Sequence, residues 1–257
     1  MPYVKRDIDI YYTDRGEGDR TLFFCHGAGG NSTSWWRQIG HFSARNRCLA
    51  HDHRGFGRSR CTPDQFSVAA FAGDVLAVMD AAGVDRAHFV CQSMGGWTGM
   101  RLALDHADRV ASLTLSDTIG SLALPSGIES TRTMGRRAAE AGAVSPALAA
   151  DYHLRDPAGA FLYLEIGAFN SDPQALDLFA RLFAPEAMID PGRAAELSIP
   201  VLVVSGTKDL IWPPDVLREL TGHLPGARLV SIDAGHSPYF ENPDAFNAAL
   251  ASFLDSI

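Results

Sequence analysis

The sequence predicts an α/β protein: an eight-stranded, mostly parallel sheet flanked by helices and interrupted by one helical insertion. Three observations lead there. Short apolar runs rich in Val, Leu and Phe alternate with longer stretches of helical spacing. Three of these runs, Thr21-Leu22-Phe23-Phe24-Cys25, Ala87-His88-Phe89-Val90-Cys91 and Pro200-Val201-Leu202-Val203-Val204, are almost continuously apolar, as expected of central strands covered on both faces. Between about Ser121 and Leu197 the strand patterns vanish and Ala-rich helical segments take over. The expected organisation is a core domain over 1–120 and 198–257 and a helical lid over 121–197. For 257 residues, one large domain with an insertion fits better than two equal ones.

In chain order, strands are expected at 2–5, 8–13, 21–25, 47–51, 87–92, 110–116, 200–205 and 227–232. The run from Asp7 to Tyr12 alternates polar with apolar residues, which suits a half-exposed antiparallel edge. Phe66, Ala69, Ala70, Gly73, Val75, Leu76 and Val78 give a helix over 66–82, closed by Gly83. A second helix follows Ser93 and reaches His106. A last one runs from Pro243 to Leu254 and places Phe246, Leu250, Phe253 and Leu254 on one stripe. In the lid, Leu176, Phe179, Leu182 and Phe183 recur at helical spacing after Asp172-Pro173, and Phe161 to Phe169 forms a second apolar segment. At least three helices are expected there.

Composition removes several functions. Lys plus Arg number 22 against 30 Asp plus Glu, a formal charge of −8, and no basic run appears. Nucleic acid is therefore not an expected partner. No apolar run approaches the ~18 residues of a membrane span, so a cytoplasmic protein without membrane contact is expected. Cys25, Cys48, Cys61 and Cys91 match neither a C-x-x-C redox pair nor a zinc site, and read as reduced, mostly buried thiols.

The strongest local feature is Val90-Cys91-Gln92-Ser93-Met94-Gly95-Gly96-Trp97, where an apolar strand ends and a helix begins. A nucleophile elbow needs this context, because a sharp strand-to-helix turn lifts the serine hydroxyl clear of the backbone and requires small neighbours. Cys91 stands where the usual G-x-S-x-G pattern has its first glycine. A nucleophilic serine needs a base, and the base an orienting acid. His236, in Gly235-His236-Ser237-Pro238, lies between the last strand and the last helix. Asp209, in Gly206-Thr207-Lys208-Asp209, follows the preceding strand. Both emerge at carboxyl ends of strands, where open parallel sheets place their ligands. Asp117, at the end of the sixth strand, is the alternative acid.

The order Ser93, Asp209, His236, together with His26-Gly27-Ala28-Gly29-Gly30 and Asp52-His53-Arg54-Gly55-Phe56-Gly57-Arg58-Ser59 at earlier strand ends, resembles the α/β-hydrolase superfamily over nearly the full chain. The resemblance implies an oxyanion hole formed by the backbone N–H groups of Ala28 and Met94. It also gives Asp52 and Arg54 the task of tying their loop together, and His26 a structural hydrogen bond rather than a second basic role. His51 and His53 flank Asp52, but further metal ligands are missing from the pattern, so no metal site is expected. Nor is any cofactor. Trp35, Trp36 and Trp212 are the expected substrate contacts.

The expected function is a serine hydrolase acting on a small-molecule ester or lactone through an acyl-enzyme. Ser93 at the elbow excludes the epoxide hydrolases and haloalkane dehalogenases of the superfamily, which use Asp there. Two alternatives stay open: a hydrolase of carbon–carbon bonds in ring-fission products, which keeps the same three residues, and a low-turnover ligand-binding receptor on the same fold.

Overall fold

Eight strands form one sheet in the computed structural model, which describes residues 2–170 and 175–257. The strands are β1 (Tyr3–Lys5), β2 (Asp9–Arg15), β3 (Thr21–Cys25), β4 (Arg47–His51), β5 (Ala87–Gln92), β6 (Val110–Ser116), β7 (Val201–Gly206) and β8 (Arg228–Ile232), in the spatial order β1-β2-β4-β3-β5-β6-β7-β8. From β4 through β8 every pairing is parallel; β2 runs antiparallel to both β1 and β4. The expected antiparallel strand is present, but β1 rather than β2 forms the edge. The alternation of β2 reflects one face packed on the core and the other left partly open, not an unpaired side.

The two-residue period of a strand divides the core. Phe23 and Cys25 of β3 face one side, with α2 (Phe71–Ala81), α3 (Gly95–Asp105) and α8 (Pro214–His223); Leu22 and Phe24 face the other, with α1 (Trp36–Phe42) and α10 (Pro243–Leu254). Burying each such Phe or Leu contributes roughly 1.5–3 kcal/mol. The helix expected over 66–82 begins as a 3-10 turn at Val68–Ala70, continues as α2, and is followed by Gly83 with φ 64°. The last helix matches its expected span, and α9 (Pro238–Glu241) precedes it.

Between β6 and β7 the described residues contain four α-helices: α4 (Pro125–Glu140), α5 (Tyr152–Arg155), α6 (Pro157–Ala168) and α7 (Leu178–Leu182). Asp156 caps α6 by accepting the Gly159 N–H at 2.8 Å, and Pro157 occupies its first turn, where no amide hydrogen is needed. Leu176, Phe179, Leu182 and Phe183 fall in and around α7; Asp172-Pro173, from which the sequence expects that helix to start, lie outside the described residues. The segment leaves and re-enters the sheet domain at one point. There the Ala123 N–H donates to the Ile189 carbonyl at 2.9 Å and the Ile189 N–H to that of Ser121 at 2.8 Å. No helix of the described residues is long and apolar enough to cross a membrane.

Candidate active site

Ser93 occupies the turn between β5 and α3 with φ 49°, a left-handed conformation that non-glycine residues rarely adopt. Neighbouring contacts hold it there. Its N–H donates to the Ser116 carbonyl at 3.0 Å, and its own carbonyl accepts the Thr118 hydroxyl at 2.7 Å. A side chain at Gly95 would strike the Cys25 carbonyl on β3, and one at Gly96 the Thr118 hydroxyl, so both positions exclude anything larger. Cys91 fits where the motif has glycine because α3 yields the space: a Cβ at Gly99 would meet the Cys91 Sγ at 2.6 Å. The compensating glycine lies eight residues beyond Cys91, outside the five-residue pattern itself.

His236 connects the three expected reacting side chains. Its Nε2 lies 2.9 Å from Ser93 Oγ and its Nδ1 2.9 Å from Asp209 Oδ2. Asp209 is itself fixed, its Oδ1 accepting the N–H groups of Ile211 at 2.7 Å and Trp212 at 3.1 Å. All three residues are buried. Such an arrangement lets the imidazole take a proton from the serine while the carboxylate sets its tautomer and balances its charge. Asp117, the alternative acid, is not the partner of His236. Its Oδ1 accepts the Gly206 N–H at 2.6 Å, behind Asp209.

The loops around the pair are pinned by polar contacts. His26 accepts the His53 N–H at Nε2 (2.9 Å), which leaves Nδ1 to donate to the Gly27 carbonyl at 2.8 Å. Burial pushes His26 below its usual range and His51 down to about 3. Asp52 accepts the N–H groups of Ser32 (2.7 Å) and Arg58 (2.8 Å), and Arg54 pairs with Asp74 and Asp7. No group of three or more His, Cys, Asp or Glu among the described residues is arranged to hold a metal ion. The Ala28 and Met94 amides, expected to bind an oxyanion, donate to no backbone carbonyl among the described residues, and both residues line the cavity above Ser93. Met94 immediately precedes α3, so the positive end of that helix lies at the same place.

That cavity, about 220 Å³, is closed on one side by the sheet ends and on the other by the insertion, which supplies Met134, Tyr163, Leu178, Phe179, Leu182 and Phe183. Trp212 lines it, its ring 5.4 Å from that of His236 and its indole N–H shared between the Gly127 carbonyl and the Thr131 hydroxyl. Trp35 and Trp36, expected to contact the substrate, do not line the cavity. Trp35 is fully buried on the far side of the sheet against Phe24, Tyr239 and Phe246, and Trp36 is 45% exposed with the Arg37 guanidinium over its ring. The 3-10 turn Ser32–Trp35, capped by Asn31, swings both rings away from Ser93. The cavity instead takes Trp97 from α3, which stacks on Trp212 and donates its indole N–H to the Leu182 carbonyl at 2.9 Å.

Two positioning residues carry no local sequence signal. Glu241 accepts the N–H groups of Gly235 (3.0 Å) and Ala149 (3.0 Å), clamping the His236 loop to the insertion; burial raises its carboxyl despite those donors. Arg137 of α4 donates to the carbonyls of Leu210, Ile211 and Ser130, fastening the insertion to the loop that carries Asp209. Only contacts distant in sequence reveal either one.

Fold and site together define the class. The chain belongs to the α/β-hydrolase fold family, whose model matches residues 20–243. Among solved structures it is similar to the enol-lactonase from Burkholderia xenovorans LB400, with 30% identity and a TM-score of 0.82 over 99% of this chain and 100% of that one. It is also similar to Est816, described as an N-acyl homoserine lactone degrading enzyme, with 31% identity and a TM-score of 0.80 over 98% and 100% of the two chains. Among curated proteins, the "Putative carbamate hydrolase RutD" of Caulobacter sp. (strain K31) is 31% identical over 91% of this chain and 90% of its own length. Family and relatives support a hydrolase of a small molecule.

Proposed function

We propose that the protein is a serine hydrolase cleaving an uncharged carboxylic ester or lactone. The observation that carries this is His236 placed 2.9 Å from both Ser93 Oγ and Asp209 Oδ2. Ser93 Oγ attacks the carbonyl carbon as its proton passes to His236 Nε2, and Asp209 stabilises the imidazolium. Charge on the carbonyl oxygen is met by the Ala28 and Met94 amides, each such donor contributing on the order of 3 kcal/mol to the transition state. Collapse breaks the carbon–oxygen bond, and His236 returns the proton to the departing alkoxide. Water, deprotonated by His236, then attacks the acyl-enzyme and releases the acid and Ser93. The insertion over 121–197 serves as the lid.

Substrate class follows from the lining. The cavity is walled by Trp97, Met134, Leu178, Phe179, Leu182, Phe183 and Trp212, with no Lys or Arg among the described lining residues. A carboxylate-bearing substrate would lose its hydration there without a paired charge. Similarity to an enol-lactonase and to a lactone-degrading enzyme supports the carbonyl class. The curated relative named for carbamates favours a second reading, in which the scissile carbonyl belongs to a carbamate.

A panel of neutral esters, lactones, carbamates and a vinylogous 1,5-diketone, assayed with wild type and Ser93→Ala, tests this reading. The expected result is turnover of neutral esters or lactones, lowered by at least about 10⁴-fold in Ser93→Ala, together with loss of fluorophosphonate labelling. Undiminished activity in that variant would sink the mechanism. Preference for carbamates or the diketone would replace the substrate class, and tight binding without turnover would favour a receptor.

A further inference from the structure

Among the described residues, Asp117 is an acidic residue beside the reacting groups to which the proposed mechanism gives no task. It follows β6 at φ 45°, wholly buried, in a left-handed conformation that the fold has to enforce. Its Oδ1 accepts the Gly206 N–H at 2.6 Å and its Oδ2 lies 2.9 Å from the Ser116 hydroxyl. Because β6 and β7 are neighbours, the residues that follow them emerge side by side: the Gly206 N–H is held by Asp117 while the Gly206 carbonyl accepts the Asp209 N–H at 3.3 Å, so one residue brings the two acids together, and Asp209 acts on the Asp117 carboxyl through both charge and hydrogen bonding.

Two carboxyl groups in contact and away from water cannot both be ionised; one keeps its proton and shares it with the other. The donors around them decide which. Asp209 receives N–H groups from Ile211, Trp212 and His236, whereas Asp117 receives one N–H and one hydroxyl. Burial first, and the charge of Asp209 second, push the Asp117 carboxyl far above the usual carboxylate range.

We propose that Asp117 is a positioning residue, a neutral carboxylic acid whose O–H donates to the Asp209 carboxylate and holds it in place for His236. The assignment rests on the reading of Asp209 as the acid that orients His236. No proton leaves Asp117 during turnover. Its hydrogen bond completes the set of donors on Asp209, so that the carboxylate cannot rotate away from the imidazole.

Two substitutions and one spectrum test it. Asp117→Gly accepts the left-handed backbone at no steric cost but removes the donor; Asp117→Asn keeps a donor of nearly the same shape and tolerates that backbone well. With a neutral p-nitrophenyl ester, Asp117→Gly is expected to lower kcat about 30-fold with KM within about twofold, and Asp117→Asn to bring kcat back to within about threefold of wild type. The infrared difference spectrum of wild type minus Asp117→Asn at neutral pH is expected to show the C=O stretch of a protonated carboxylic acid. Equal losses in the two variants, or no such band, would overturn the proposal. Should Asp117→Gly fail to fold, the Asn variant and the band decide alone. The band needs no turnover, so an active Ser93→Ala variant would remove the hydrolase reading while the proton on Asp117 remained measurable.

Discussion

The cavity has two halves built in opposite ways. The sheet half, comprising Ser93, Asp209 and His236, sits on strand ends locked into a parallel ladder, and each of its reacting atoms is held by hydrogen bonds within about 3 Å. The insertion half is made of short helices tied down at a few points: the indole of Trp97 on Leu182, the indole of Trp212 on Gly127, Arg137 on the 210–211 carbonyls and Tyr163 on Ser237. It also leaves Phe161 and Phe169 largely exposed, 65% and 68%, whereas the large apolar side chains of the central strands β3, β5, β6 and β7 are buried. In the proposed reaction the first half positions the reacting groups and the second shapes the cavity. Substitutions in the first should therefore appear in kcat and those in the second in KM.

The largest effect is expected in the sheet half. Asp209→Asn should lower kcat by about 10⁴-fold while KM stays within about twofold, because the neutral amide holds the wrong imidazole tautomer without disturbing the cavity wall. Steady-state kinetics on a neutral ester checks this, and a change confined to KM would erase the contrast between the halves.

A smaller effect separates stability from chemistry within the sheet half. His51 is buried between Phe23 and His53 without a well-formed hydrogen-bond partner, and burial holds it down to about 3. Unfolded, it titrates near 6.5, so the unfolded chain binds the additional proton between those values. Stability from this residue is complete above pH 6.5 and is lost as pH falls toward 3, amounting to about 2 kcal/mol by pH 5. His51→Phe should keep kcat and flatten the acid limb of thermal denaturation, with about one fewer proton taken up on unfolding at pH 5. An unchanged slope would show that the acid sensitivity arises elsewhere, for instance at His53.

The smallest effect belongs to the insertion half. Phe179 lines the cavity and is 46% exposed. Phe179→Ala should raise KM about fivefold for esters with long acyl chains and leave acetyl esters nearly unchanged, about 1 kcal/mol of apolar contact. A matching loss of kcat on acetyl esters would mean that the insertion also positions the reacting atoms.

The same contrast decides what the sequence discloses. Strands β3, β5 and β7 are legible because burial on both faces writes continuous apolar runs, although β7 extends one residue further than expected, Gly206 still pairing with Ile232. Ser93 and Asp209 are legible because they follow such runs; His236 follows the more exposed β8 and is legible instead from Gly235-His236-Ser237-Pro238 standing between the last strand and the last helix. Trp35 and Trp36 misled because adjacent residues on a turn point in unrelated directions, and only the packing of Trp35 against Tyr239 reveals which way. Asp117 reads in sequence as a rival of Asp209. That the two stand together is a property of strand adjacency, which no local pattern encodes. Glu241 and Arg137 act across 92 and 74 positions, reaching Ala149 and Ile211, and leave no trace in any short window.

The paired hydrogen bonds at Ser121–Ala123 and Ile189 have a consequence for how such proteins diversify. They join the ends of the intervening segment at a single hinge point of the chain, so the sheet meets it as a loop already closed. Lengthening a closed loop is thermodynamically mild, each doubling adding only about 0.6 kcal/mol. Exchanging the stretch between those two points for that of a relative, with Arg137 and the Ala149 amide contact to Glu241 retained, should therefore graft a new specificity while keeping the loops of Asp209 and His236 in place, making the junction the natural seam for recombination.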